Sequence, residues 1–183
     1  MKSPIPIARL ATLAAAITAV ALLQGCATPA TQQAMSIAYG DVAAATQAEL
    51  KGAFVVRNVT GGKATNPLWT SQVDNASFQQ ALSQSLAVAG YGAAPGQGGR
   101  YQIDADLQQL KQPLFGLTFD VLSTVQYTVE GAGLRRQFPV SATGTATTSD
   151  AFVAIERLRI ANERSVKENI KEFLRQLPAQ LAQ

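Results

Sequence analysis

Residues 118–148 read TFDVLSTVQYTVEGAGLRRQFPVSATGTATT. Two alternating runs flank a glycine-rich centre. In the first, Phe119, Val121, Val125, Tyr127 and Val129 alternate with mostly polar partners; in the second, Phe138, Val140, Ala142 and Ala146 alternate with Ser and Thr. Side chains two apart point to one side of a strand, so the pattern predicts two strands with one buried and one polar face. Gly131 and Gly133 suit the tight turn of an antiparallel hairpin between them. Pro139 has no N–H for a ladder bond, which places the second strand at an edge or gives it a bulge.

The same alternation extends upstream. In RYQIDADLQQL (100–110), Tyr101, Ile103, Ala105 and Leu107 alternate with Gln102, Asp104, Asp106 and Gln108. AFVVRNVTGG (53–62) reads as a further strand ended by a glycine pair. Between these two, KATNPLWTSQV is irregular, with Asn66-Pro67 as a turn signal. NASFQQALSQSLAVAGYG (75–92) reads as a helix: Asp74 or Asn75 caps it, Phe78, Leu82, Leu86 and Ala89 share a face, and Gly90 and Gly92 stop it. A second, longer helix is predicted from about Ser149 to Leu177, stopped by Pro178. Phe152, Ile155, Val166, Ile170, Phe173 and Leu177 fall in its apolar arc, and Arg157, Arg164, Lys171 and Arg175 lie opposite. Glu163 and Lys167 are spaced for an i,i+4 ion pair.

The element order is therefore β-α-β-β-β-α. A sheet with a single apolar face offers both helices the same place to bury their stripes. The expected fold is α+β: a two-layer sandwich of a four-stranded, mostly antiparallel sheet with two helices on one face. The first helix is a crossover, so the first two strands are expected to run parallel with a right-handed connection.

The N-terminus is organised differently. Lys2 and Arg9 precede an apolar run from Leu10 to Leu23, which is shorter than the roughly 20 residues a membrane helix needs. A basic flank, a short apolar core and small residues at its end mark a secretory signal peptide. The closing residues Leu23, Gln24, Gly25 and Cys26 resemble the bacterial lipobox, in which cleavage precedes a lipid-modified cysteine. That resemblance implies removal of residues 1–25 and acylation of Cys26, with Ala27 in place of the aspartate that retains lipoproteins in the inner membrane. It implies an outer-membrane bilayer anchor with the domain on the periplasmic face. Residues 26–52, rich in Ala, Gln and Thr and with a helical piece expected near Val42–Leu50, read as the lipidated cysteine and a tether. Residues 53–183 read as one α+β domain.

Composition narrows the chemistry. Loss of Lys2 and Arg9 leaves 13 basic against 12 acidic residues, a net charge of about +1, and gives no reason to expect nucleic acid. Cys26 is the only cysteine and there is no histidine. A Ser-His-Asp triad, a Cys-His pair, a Cys/His zinc site and an intrachain disulfide are all excluded. No catalytic residue, metal or cofactor is expected beyond the covalent lipid on Cys26.

Five features remain as candidates. Asp104 and Asp106 share the polar face of a strand, and Asp120 is placed to join them; the cluster reads as a solvated face, or as a carboxylate or cation site. Arg159 and Asn162 turn toward the apolar arc of the last helix, as structural partners of buried polar groups or as a ligand clamp. Leu114, Phe115 and Leu117 occupy a turn where polar residues are usual, either plugging the core or forming a docking or membrane-dipping knuckle. Trp69, in another irregular loop, admits the same two readings. The basic stripe of the last helix could meet anionic lipid or lipopolysaccharide phosphate, but it is interleaved with Glu156, Glu163, Glu168 and Glu172, which suits a solvated face.

The stretches GGKATNPLWTSQVDNASFQQALSQSLAVAGY, RYQIDADLQQLKQPLFGLTFDVLSTVQYTV and SDAFVAIERLRIANERSVKENIKEFL resemble a family of uncharacterised proteobacterial outer-membrane lipoproteins. The element order is also similar to that of the LPS-assembly lipoprotein family, in which two helices pack on a four-stranded sheet and the protein plugs a barrel partner. This likeness is one of topology and transfers no functional residue. The leading expectation is a non-enzymatic accessory or scaffold subunit in envelope assembly or transport, docking a sheet edge or the loop near Phe115 onto an envelope protein partner. A lipid or glycolipid carrier, with a cavity between helices and sheet, and a carboxylate hydrolase centred on Asp104 and Asp106 are the alternatives.

Overall fold

The computed structural model describes residues 27–45, 47–68 and 70–181. Leu23, Gln24, Gly25, Cys26 and Trp69 lie outside the described residues. Four strands, β1 (Phe54–Thr60), β2 (Tyr101–Lys111), β3 (Phe119–Gly131) and β4 (Leu134–Ala146), form one sheet in the order β1-β2-β3-β4. β1 and β2 are parallel, and the other neighbours are antiparallel. A short α1 (Gln32–Met35) precedes the sheet; α2 (Asn75–Val88) crosses from β1 to β2, and α3 (Ala154–Leu181) follows β4. The expected α+β sandwich, with both long helices on one face, is the observed architecture.

Local sequence explains most boundaries. Gly131 pairs with Leu134, so the hairpin loop is Ala132-Gly133, with φ of 51° and 80°. Two positive φ values in a two-residue loop follow the strand twist and close the hairpin tightly. The carboxylate of Asp74 accepts from the Ser77 N–H at 2.8 Å and caps α2. At its far end the Tyr91 N–H reaches the Leu86 carbonyl and the Gly90 N–H reaches that of Ala87, a Schellman ending. Pro139 sits on β4, which is an edge strand.

Strict alternation breaks at two bulges. In β1 the register shifts between Val56 and Asn58, so Phe54 and Val59 both point inward despite their odd spacing. A second shift between Leu107 and Gln109 returns Leu110 to the covered side.

α3 packs on β3 and β4. Near its start the small residues Ala142, Gly144 and Ala146 of β4 face Ala161 and Ser165, and the backbones come close. A β carbon on Gly144 would lie 2.1 Å from the Ser165 nitrogen. Toward its end the gap widens and is filled by aromatic rings: Phe173 stacks on Tyr127 with centroids 4.0 Å apart and meets Phe138 edge-on at 5.5 Å.

Three expectations for this helix are corrected. It begins at Ala154, because Asp150 closes a turn on the Thr147 N–H and the carbonyls of Ala151 and Phe152 are taken by Arg157. Phe152 is therefore not in the buried arc but exposed ahead of the helix. Pro178 does not end the helix, which continues to Leu181; a proline there forfeits one N–H bond, and Leu181 still packs against the core.

The segment expected to be a tether is corrected too. From Ala27 onward it is packed onto the domain, with Ala30, Met35, Ile37, Ala45 and Leu50 buried. α1 lies against both long helices. The Ile37 N–H donates to the Ser85 hydroxyl at 3.1 Å, and the Ala45 N–H to the Ala89 carbonyl at 2.8 Å. The helix expected near Val42–Leu50 is only a 3-10 turn at Ala48–Leu50. A few apolar residues in a polar stretch suffice to fill the valley between the helices.

Candidate functional site

The carboxylates of the polar face do not converge. Arg57, carried outward on the β1 bulge, grips Asp104 through both Nε and Nη2, with Nε to Oδ1 at 2.8 Å, and reaches Glu130 at 2.9 Å. Asp106 accepts from the Thr60 hydroxyl at 2.8 Å. The expectation that Asp120 joins them is not met. Strand register sets Thr128 and Gln126 beside Asp104 and Asp106, and Asp120 takes the Thr145 hydroxyl at 2.6 Å. Six residues of strand separate Asp120 from that pair, about 20 Å.

Ion pairs around the domain set its acid response. The Arg57 guanidinium holds the Asp104 carboxyl below its usual value, Arg159 does the same to Glu156, and Arg164 to Asp150. Asp41 is lowered by the Ala38 N–H and by Lys167. In each case the folded state binds the proton less readily than the unfolded chain. Their stabilisation is complete above the unfolded carboxylate range, about pH 5, and is lost as pH falls through the lower folded values. With no histidine in the chain, urea midpoints are expected to be flat from about pH 6 to 9 and to fall steadily below about pH 4. A stability maximum in the acid limb contradicts this.

Arg159 and Asn162 are both engaged by partners within the domain. Arg159 binds Glu156 and, at 2.6 Å, Glu163. Glu163 is buried and also accepts from the Thr31 N–H and hydroxyl, at 2.8 and 3.0 Å. The expected Glu163–Lys167 pair is replaced: Lys167 binds Asp41 at 3.0 Å. The Asn162 amide donates to the Ser71 carbonyl at 3.0 Å and accepts from Gln112 at 2.9 Å. Gln112 also donates to the Ser71 carbonyl at 2.9 Å, while the Ser71 hydroxyl donates to the Thr28 carbonyl at 2.7 Å. Ser71 thus joins the start of the described chain, the β2–β3 loop and α3 at one end of the sandwich.

That end is apolar. Leu114, Phe115 and Leu117 are 93, 85 and 76% exposed, and Phe152 is 91% exposed with Val153 beside it in sequence. These three side chains of the knuckle do not fold back to plug the core. The β2–β3 and β4–α3 loops are tied together by Arg157, which sequence periodicity placed on the basic face of the helix. It is instead 4% exposed. Its Nη1 donates to the carbonyls of Ala151 and Phe152 at 2.9 and 3.0 Å, and its Nη2 to that of Gly116 at 3.1 Å. The guanidinium rests 4.9 Å from the centre of the Phe119 ring. Its helical position gave no sign of this, since the partners are main-chain carbonyls of two loops distant in sequence.

Beneath the loops is an open groove of about 510 Å³, lined among others by Thr70, Leu110, Leu114, Phe119, Ile155 and Leu158. The space between helices and sheet is filled by side chains such as Phe78, Leu82, Tyr127 and Phe173. Among the described residues no helix is long and apolar enough to cross a membrane.

A solved uncharacterised protein superposes with a TM-score of 0.51 at 9% identity, over 74% of this chain and 99% of that one. The fold has a solved counterpart. A Xanthomonas campestris protein from a family of unknown function is similar over 77% of this chain and 94% of its own, with a TM-score of 0.49 and 9% identity. A Caulobacter crescentus protein provisionally described as a lipoprotein is similar over 72% and 91%, with a TM-score of 0.46 and 14% identity. No family model matches the chain, and no curated protein matches its sequence. At such identities a shared fold transfers no activity.

Proposed function

We propose that this chain is a lipid-anchored accessory protein of the bacterial envelope. It is held by Cys26 on the periplasmic face of the outer membrane and works by binding a protein partner, not by catalysis. One observation carries the reading. The Ala27 N–H donates to the Pro67 carbonyl at 2.7 Å, so the residue after the lipobox cysteine is already pinned to the domain, at the end that exposes Leu114, Phe115 and Leu117. An anchor attached there without slack orients the whole sandwich. The carboxylates on the sheet are occupied by Arg57 and Thr60, which supports a binding role over a hydrolytic one. The filled space between the layers supports an accessory role over a carrier. The likeness to the LPS-assembly lipoproteins is consistent with this in element order and assigns no residue.

The test is made in cells. With residues 1–25 replaced by a secretory leader whose removal needs no lipid, Cys26→Ser is expected to move the chain from the membrane to the soluble fraction. Photo-crosslinkers at Gln102 on the uncovered sheet face and Gln137 on β4 are expected to capture a defined envelope protein that captures this chain in the reverse experiment. An unmodified thiol on a soluble chain, or a purified domain that turns over a substrate, overturns the reading. Co-purified lipid with no protein adduct replaces it with a carrier.

A further inference from the structure

We propose that the apolar end of the sandwich is a membrane-contact surface, with Leu68, Leu114, Phe115, Leu117 and Phe152 seated among the lipids of the leaflet that holds the Cys26 acyl chains. The inference rests on the lipid-anchor reading and goes beyond it by assigning the occupant of the exposed patch.

Three observations converge. The first is placement. Cys26 precedes Ala27, and adjacent α carbons are about 3.8 Å apart. Ala27 is bonded to Pro67 in the Asn66–Thr70 turn, next to Leu68, which is 79% exposed. The Thr70 hydroxyl in turn donates to Gln112 at 3.1 Å, two residues before Leu114. Acyl chains on Cys26 therefore enter the bilayer beside these tips, and no length of free chain remains to accommodate a protein between them and the membrane.

The second is composition. Large apolar side chains on two neighbouring loops and a turn all stand exposed on a domain whose other large apolar residues are mostly buried. Exposed clusters of this kind mark contact surfaces. The opposite end, at the Gly131–Leu134 hairpin, lies about 40 Å away along thirteen-residue strands and carries Arg135 and Arg136 instead.

The third is main-chain satisfaction. A loop entering lipid must have its carbonyls paired, because no water is there to pair them. Buried Arg157 supplies three such bonds, to Gly116, Ala151 and Phe152, from within the protein. The tips are thus held out as a rigid pair with part of their backbone already satisfied. Lys111, exposed at the end of β2, stands at the rim where lipid phosphates lie.

The test uses the full lipidated chain reconstituted in vesicles of phosphatidylethanolamine and phosphatidylglycerol. The thioether blocks Cys26, so a second cysteine takes a nitroxide selectively. Labels from Phe115→Cys and Phe152→Cys are expected to collide with dissolved oxygen and be shielded from a water-soluble nickel chelate. A label from Gln97→Cys, at the far end, is expected to show the reverse. On the same vesicles the unlipidated Cys26→Ser chain, produced without residues 1–25, is expected to lose about tenfold in partitioning when Phe115→Ser and Phe152→Ser are added. Circular dichroism establishes that the variants remain folded. If Phe115 and Phe152 labels on a lipidated chain meet nickel as freely as the Gln97 label, the membrane contact is wrong and the anchor stands. An unlipidated native chain overturns both. A protein adduct from position 115 in cells overturns the lipid assignment and gives the patch to that protein.

Discussion

Gly144→Ala is expected to destabilise the domain by about 3 kcal/mol or more, a mutation of one methyl group. The added β carbon would lie 2.1 Å from the Ser165 nitrogen, 2.5 Å from the Ala161 carbonyl oxygen and 2.6 Å from the Arg164 carbonyl carbon. All three are backbone atoms of a helix, so no rotamer change relieves the clash. α3 must lift from β4. Lifting stretches the bond from the Ser165 hydroxyl to the Ala142 carbonyl, now 3.1 Å, and that from the Ser123 hydroxyl to the Ser165 carbonyl, also 3.1 Å. For a domain of this size the melting temperature should fall by roughly 10 °C. Gly98→Ala is the control, because a β carbon there meets nothing within 4 Å. Its effect should stay within about 0.5 kcal/mol. Equal unfolding midpoints for the two variants would show that the helix and strand are not in the close contact described.

Asn169→Leu, near in size but unable to hydrogen-bond, is expected to cost about 3 kcal/mol. Asn169 is fully buried at the centre of the layer interface. Its amide donates to the Val140 carbonyl at 3.0 Å and the Ser123 carbonyl at 3.2 Å, and its oxygen accepts from the Tyr127 hydroxyl at 2.9 Å. Burial pushes the Tyr127 pKa far up, so that hydroxyl stays neutral and in need of an acceptor. Leucine would strand all three groups away from water. Tyr127→Phe removes one of them, so the double variant should be less damaged than the sum of the singles by about 1 kcal/mol. Strict additivity in denaturant unfolding would argue that the hydroxyl and the amide do not depend on each other.

Both residues left a trace in the sequence. Ser123 and Gly144 fall at inward positions of otherwise apolar alternations, and Asn169 lies in the helical arc between Val166 and Ile170. A polar or side-chain-free residue at a core position signals a special contact. It does not name the partner. Arg157 left no such trace, because its acceptors are carbonyls that any residue carries. The β1 and β2 bulges were equally silent: an extra residue in one strand depends on its neighbour's register, and a single strand's pattern holds no information about that. The exposed state of Leu114, Phe115 and Leu117 was an open choice in sequence, since an apolar loop is buried or bare according to whether the fold leaves room above the core. Here the loop stands clear of the core: Phe119, Leu158 and Ala161 pack among themselves, and an open groove separates them from the tips.

The sequence by itself determined the strands, their glycine hairpin, the capped crossover helix and the shared apolar face that requires a two-layer sandwich. These follow from periods of 2.0 and 3.6 residues, which are built into the covalent chain. It also determined what chemistry is missing, since the absence of histidine and of a second cysteine holds in any conformation. Tertiary structure alone decided that Ala30, Met35, Ile37, Ala45 and Leu50 join the core, that Ser71 draws three distant segments together, and that Arg157 mounts two apolar tips beside the start of the domain. Each depends on where desolvated groups from separate elements meet, a matter of docking geometry that no local period encodes.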